Sequence, residues 1–213
     1  LSRMLSGPYA TMLLADHGAE VTKIESAEGD TSRRSGPFEK KDVKGDWSGY
    51  FISLNRNKKS ISLNLKTRDD IVFLKKLIKK SEVLVENFRP GVMNRLGLSF
   101  DEVSKINPRI VYGSISGFGS DIFGESPYKN WPSYDVVAQA MGGLISLTGY
   151  DEENPLKVGP GIADIFSGSL LSFGLLASIL KARDTGRAQF VEVAMYDAII
   201  SMCAVSYTHL RAH

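Results

Sequence analysis

Residues 59–86 read KSISLNLKTRDDIVFLKKLIKKSEVLVE. Lys59 to Leu65 alternates apolar and polar side chains and predicts a strand, as does the β-branched run Glu82 to Glu86. Between them, Arg68 to Lys80 places Ile71, Leu74, Leu77 and Ile78 on one face of a helix. The opposite face carries Lys75, Lys76, Lys79 and Lys80, which reads as a solvated stripe. A strand, a helix and a strand at this spacing form one crossover unit, and such units build parallel sheets.

The same alternation extends in both directions. Pro8 to His17 predicts a helix with proline in its first turn and Gly18 past its end. Glu20 to Glu25, Arg109 to Ser114 and Gln189 to Val193 predict further strands, and Tyr134 to Met141 a further helix. The run Ser167 to Ala182 carries Leu170, Leu171, Phe173, Leu175, Leu176, Ile179 and Leu180 at helical spacing. The fold class read from these elements is α/β, a Rossmann-like parallel sheet in three layers with helices on both faces. Residues 1–205 are assigned to one large domain whose first strand and C-terminal return are expected to lie outside this sequence. Residues 206–213 break the apolar pattern and resemble a translated adapter, so they are read as a non-native tail.

Composition narrows the function. The 213 residues are 43% hydrophobic, enough for one sizeable core, and 26 Lys plus Arg against 24 Asp plus Glu leave a net charge of +2. So balanced a chain is not expected to partner nucleic acid. Cys203 stands alone, which excludes an internal disulfide and suggests a reducing, cytoplasmic setting. His17, His209 and His213 do not support a zinc site or a histidine-dependent triad. No apolar stretch reaches membrane-spanning length without a charge or a glycine, and neither a metal nor a membrane is expected.

In parallel sheets ligands bind beyond the carboxyl ends of the strands, so the loops there matter most. Glu28 to Pro37 offers Arg33 and Arg34 as possible phosphate clamps. Glu86 to Gly97 offers Asn87 and Phe88, and Lys66 adds a point charge. Val158-Gly159-Pro160-Gly161-Ile162-Ala163-Asp164 sets one carboxylate at the start of the long apolar helix. The spacing imitates a dinucleotide fingerprint, but Asp164 stands where the third glycine should be and would repel a pyrophosphate. Asp164 reads either as a helix N-cap or as a reactive group.

Taken in order, these motifs resemble the family III CoA-transferases, the CaiB/BaiF type. The residues that carry the resemblance run from Ser6-Gly7-Pro8 through Leu13 to Glu25, with Gly29, Asp30 and Arg33. Asn55 to Ser60, Leu63 to Thr67, Val85 to Gly91, Ser116 to Gly119, Tyr134-Asp135, Ala138-Gln139, Asp164 and Gly168 continue it. The resemblance implies CoA transfer from an acyl-CoA to a free carboxylic acid, with Asp164 as nucleophile and an aspartyl-CoA thioester on it. It assigns Arg33, Leu63, Lys66, Asn87, Phe88, Arg95 and Tyr134 to the site for coenzyme A, the substrate. It also implies an interlocked homodimer and a fragment inactive alone. Racemases of the family carry a histidine where this chain has Tyr134, and tyrosine is poorly suited to proton exchange near neutral pH. An acyl-CoA racemase and a CoA-binding module without turnover are the alternative readings.

Overall fold

The computed structural model describes residues 1–42, 45–151 and 153–209. In chain order these form α1 (Ser6–Asp16), β1 (Val21–Glu25), a 3₁₀ turn (Thr31–Arg34), α2 (Gly49–Asn55) and β2 (Lys58–Ser62). There follow α3 (Arg68–Lys80), β3 (Val83–Glu86), α4 (Val92–Arg95), α5 (Phe100–Ile106) and β4 (Val111–Ser116). The remainder is α6 (Asp135–Met141), α7 (Leu144–Thr148), α8 (Ile162–Thr185), β5 (Gln189–Ala194), α9 (Met195–Met202) and α10 (Ala204–His209).

Every strand pairing is parallel, as the alternation of helix and strand requires, but the strands bond in two ladders. One joins β1 to β2, from Val21 opposite Lys58 to Glu25 opposite Ser62. The other runs β3, β4, β5, with Val83 opposite Val111 and Ser116 opposite Ala194. Periodicity predicts each strand without stating which neighbours share hydrogen bonds. The strand expected to reach Leu65 stops at Ser62, because Asn64 turns the chain: its N–H donates to Asp70 and its side chain accepts from Lys66 N–H.

Helices cover both faces of the larger ladder. Val85, Val111 and Ile115 face Ala10, Leu171, Leu175 and Ile199, whereas Leu84, Ile110 and Tyr112 face Leu74, Ile78, Leu98 and Val103. Successive side chains of a strand point to opposite faces, so two apolar clusters require two helical layers. Helix α3 matches its predicted bounds. Asp69 and Asp70 lie in its first turn and Lys79 and Lys80 in its last, each favourable against the helix dipole.

Helix α8 begins at Ile162, five residues before the predicted run, and ends where Gly186 takes a left-handed conformation. By length and composition α8 could cross a membrane. Here Ala163, Ser167, Gly168, Leu171, Ser172 and Leu175 are buried, and the helix packs on α1, β4 and β5. At β4, a Cβ on Gly113 would stand 2.9 Å from a Leu175 methyl, so the missing side chain lets helix and strand approach. Helix α10 runs across the expected domain boundary at residue 205, and residues 210–213 of the expected tail lie outside the described residues.

Candidate active site

A cavity of about 380 Å³ opens beyond the carboxyl ends of β3 and β4. Asn87 and Phe88 reach it from the end of β3, Ser116 and Gly117 from the end of β4, and Ser6, Tyr134 and Asp164 from helix starts. This is where ligands of parallel sheets are expected.

The glycine turn before α8 is built by hydrogen bonds. Gln139, fully buried, accepts from Val158 N–H at 3.0 Å through Oε1 and donates to Asp135 Oδ2 at 2.7 Å. The other Asp135 oxygen accepts from Ala163 N–H at 2.8 Å, satisfying one of the unpaired N–H groups of the first turn of α8. Lys157 donates to the carbonyls of Val158 and Gly159, and its ammonium stands 3.7 Å from Asp135. A Cβ on Gly161 would meet Leu5 at 2.6 Å, so the turn can press against the start of α1.

Asp164 is the third residue of α8. The N-cap position belongs to Gly161, and Asp135 supplies the cap that Asp164 was expected to provide as a structural residue. The Asp164 side chain instead lines the cavity together with Ser6, the first residue of α1. Burial and the neighbouring Asp135 charge push its pKa up to about 6, against an opposing influence from Ser6. At pH 7 the carboxylate form still leads by about ten to one. Tyr50 lines the same cavity; burial, with the charges of Asp164, Asp30 and Asp135, pushes its phenol up to about 12, so it stays a donor.

Of the residues assigned from sequence, Asp164, Asn87, Phe88 and Tyr134 meet at the cavity, and Tyr134 is 64% exposed. Arg33, Leu63, Lys66 and Arg95 do not line it. Arg33 forks onto Glu25 at 2.8 and 2.7 Å, with its guanidinium carbon 3.7 Å from the Phe51 ring centroid. Leu63 is buried in the core, while Lys66 and Arg95 are exposed. Ser6 and Asp135 were quoted for the resemblance without a role and Tyr50 not at all; Ser6 and Tyr50 line the cavity, and Asp135 caps the start of α8 beside it. Ser6 and Asp135 each begin a helix, a position that could have marked them. Among the described residues no group of three or more His, Cys, Asp or Glu is placed to hold a metal.

The site is thus a cavity at the strand ends of a parallel α/β domain, with a half-buried aspartate in the first turn of a long helix beside it. Residues 1–213 match the family described as CoA-transferase family III, and the chain belongs to that family. Succinyl-CoA:mesaconate CoA-transferase of Haloarcula marismortui is 41% identical over 203 residues, which span 95% of this chain and 51% of that protein. Formyl-CoA:oxalate CoA-transferase of Streptomyces coelicolor is 44% identical over 205 residues, 96% of this chain and 48% of that protein. A crystal structure of a CaiB/BaiF family protein from Brucella suis superposes with a TM-score of 0.91 at 34% identity, covering 100% of this chain and 55% of that one. The chain thus spans about half the length of the relatives it matches.

Proposed function

We propose that this chain is the nucleophile-bearing part of an enzyme that transfers CoA from an acyl-CoA to a free carboxylic acid, with Asp164 carrying the group between them. The observation that supports the reading best is the setting of Asp164: half-buried at a cavity beyond the strand ends, in the first turn of α8, and ionised at neutral pH.

In this reading an Asp164 oxygen attacks the thioester carbonyl. The C–S bond breaks, CoA leaves as thiolate, and a mixed anhydride joins Asp164 to the donor acyl group. The thiolate then attacks Cγ of Asp164, releasing the donor acid as its carboxylate and leaving an aspartyl-CoA thioester. The acceptor carboxylate attacks that thioester and expels the thiolate, forming a second anhydride. Return of the thiolate to the acceptor acyl carbon gives the new acyl-CoA and frees Asp164. Donor and product are both thioesters of carboxylic acids, so the two sides of the exchange are similar in energy, and the covalent relay splits it into successive acyl transfers.

The test is chemical trapping in the protein encoded by the complete gene. Incubation with acyl-CoA followed by borohydride or hydroxylamine should modify Asp164, located by peptide mass. Tight CoA binding without any adduct would instead establish a binding module.

A further inference from the structure

We propose that Arg3 is an anion-binding residue of the cavity, receiving paired oxygens of a substrate phosphate or carboxylate on its guanidinium fork, and that Asn87 is the positioning residue that holds it there. The proposal rests on the reading of this cavity as a CoA-transferase site and names a cation for its anionic substrates.

Arg3 belongs to a short segment held at three consecutive residues by side chains from elsewhere in the fold. Lys23 of β1 donates to the Ser2 carbonyl at 2.9 Å. Asn87, just past β3, grips both backbone groups of Arg3: its Oδ1 accepts from the N–H at 2.9 Å and its Nδ2 donates to the carbonyl at 2.8 Å. Asp30 Oδ1 accepts from Met4 N–H at 3.3 Å, and the other Asp30 oxygen pairs with the buried Lys23 ammonium at 2.8 Å. Met4 has a φ of 62°, a left-handed conformation that a residue other than glycine keeps only where its surroundings hold it. The backbone that carries Arg3 is therefore set before a ligand arrives, which lowers the cost of ordering it on binding.

The Arg3 guanidinium carbon lies over the Phe88 ring, 5.3 Å from its centroid, and both residues line the cavity that holds Asp164. Such a contact engages the charge of the cation and leaves its N–H fork to donate. Among the described residues no carboxylate forms an ion pair with Arg3. The charged residues lining the cavity are Arg3, Arg89 and Asp164, so cations outnumber the carboxylate there. Asn87 has no donor left for a ligand. Its Nδ2 also donates to Ser6 Oγ at 3.2 Å, which commits both amide hydrogens within the protein. It serves a ligand through Arg3 rather than by touching it.

The experiment titrates CoA, oxalate, succinate and mesaconate calorimetrically into the protein from the complete gene, as wild type, Arg3→Gln, Asn87→Ala and the double variant. Circular dichroism checks each fold. Arg3→Gln should weaken at least one of these anions about tenfold or more, the effect of removing a charge-assisted hydrogen bond. A loss confined to CoA assigns the fork to a phosphate, and a loss in the acids assigns it to a carboxylate. Asn87→Ala should weaken the same ligand by a smaller factor and add nothing in the Arg3→Gln background, because it acts through Arg3. If Asn87→Ala does not fold, Asn87→Asp, which cannot donate to the Arg3 carbonyl, takes its place. Unchanged affinity in Arg3→Gln for CoA and for every acid that the wild type binds overturns the proposal, as does a wild type that binds none of them. Factors that multiply in the double variant overturn the positioning role of Asn87. Trapping at Asp164 reads the transferase separately: anions bound through Arg3 with no acyl adduct would leave this proposal standing and remove that reading.

Discussion

Gly168 lies directly on the backbone of Ser6: a Cβ added to Gly168 would stand 2.7 Å from the Ser6 carbonyl oxygen and 3.3 Å from the Ala10 nitrogen. Helices α8 and α1 therefore touch main chain to main chain just past the first turn of α8, and that contact fixes how far Ser6 sits from Asp164.

Gly168→Ala should destabilise the domain although alanine is the better helix former. Propensity favours alanine by about 1 kcal/mol, whereas forcing backbone apart at such a contact costs roughly 1–3 kcal/mol. The clash decides because the atom met is main chain and cannot rotate away. Urea unfolding should show a lower midpoint, and turnover should fall as Ser6 is displaced. A midpoint above wild type would mean that the two helices do not meet this closely.

Asp164→Asn should abolish exchange by several orders of magnitude while retaining CoA binding. The pH dependence follows from the raised pKa. The nucleophile must be ionised, so kcat/KM should fall tenfold per unit below about pH 6. Stability runs the other way. The folded state holds this proton more tightly than the unfolded chain, so stability declines as pH rises from about 4 through 6. Asp164→Asn, which never ionises, should melt above wild type at pH 7, and the gap should close near pH 4. Melting curves at the two pH values check the sign.

The strands and long helices were legible because burial imposes a period. Arg68–Lys80 matched its observed bounds, and all five strands were placed to within a few residues of theirs. Short helices α2, α4, α5 and α7 went unread, since each spans too few turns for a period to emerge. The cavity was half legible. Asn87, Phe88, Tyr134 and Asp164 stand at element ends, where the ligand rule for parallel sheets points. Asp135 acts through a carboxylate brought across the fold onto Ala163 N–H, and Ser6 reaches the cavity from the distant start of α1. Local patterns carry no signal of that. Arg33 is paired with Glu25, a partner that the reading of its loop did not identify.

Ser167, one turn beyond Asp164, is fully buried, and its hydroxyl has no partner among the described residues. A buried hydroxyl without a hydrogen bond costs on the order of 1–3 kcal/mol. Ser167→Ala removes that cost with little change in volume and improves helix propensity. It should raise the thermal midpoint by a few degrees and leave exchange intact. Ser172→Ala is the contrast. That hydroxyl is shared between the Gly168 carbonyl of its own helix at 2.8 Å and the Ala10 carbonyl across the α1–α8 contact at 3.1 Å, so its loss should lower the midpoint.

Glu25 and Arg33 should behave as a structural pair. Burial would raise the Glu25 pKa, but the Arg33 fork, the Ser60 hydroxyl and the Asp30 N–H outweigh it and hold the carboxyl at about 2. A depressed carboxyl contributes stability that is complete above its ordinary value near 4.5 and is lost as pH falls toward 2. Glu25→Gln leaves the guanidinium half-paired between Phe51 and Trp47 and should cost about 3 kcal/mol at pH 7, a penalty that shrinks as pH falls toward 2. Arg33→Lys keeps the charge yet loses both the fork and the flat stacking surface, so it should also lower the midpoint. Calorimetric CoA titration of the same variant separates this role from phosphate binding. A lysine variant with wild-type stability and tenfold weaker CoA binding would reassign Arg33 to the substrate.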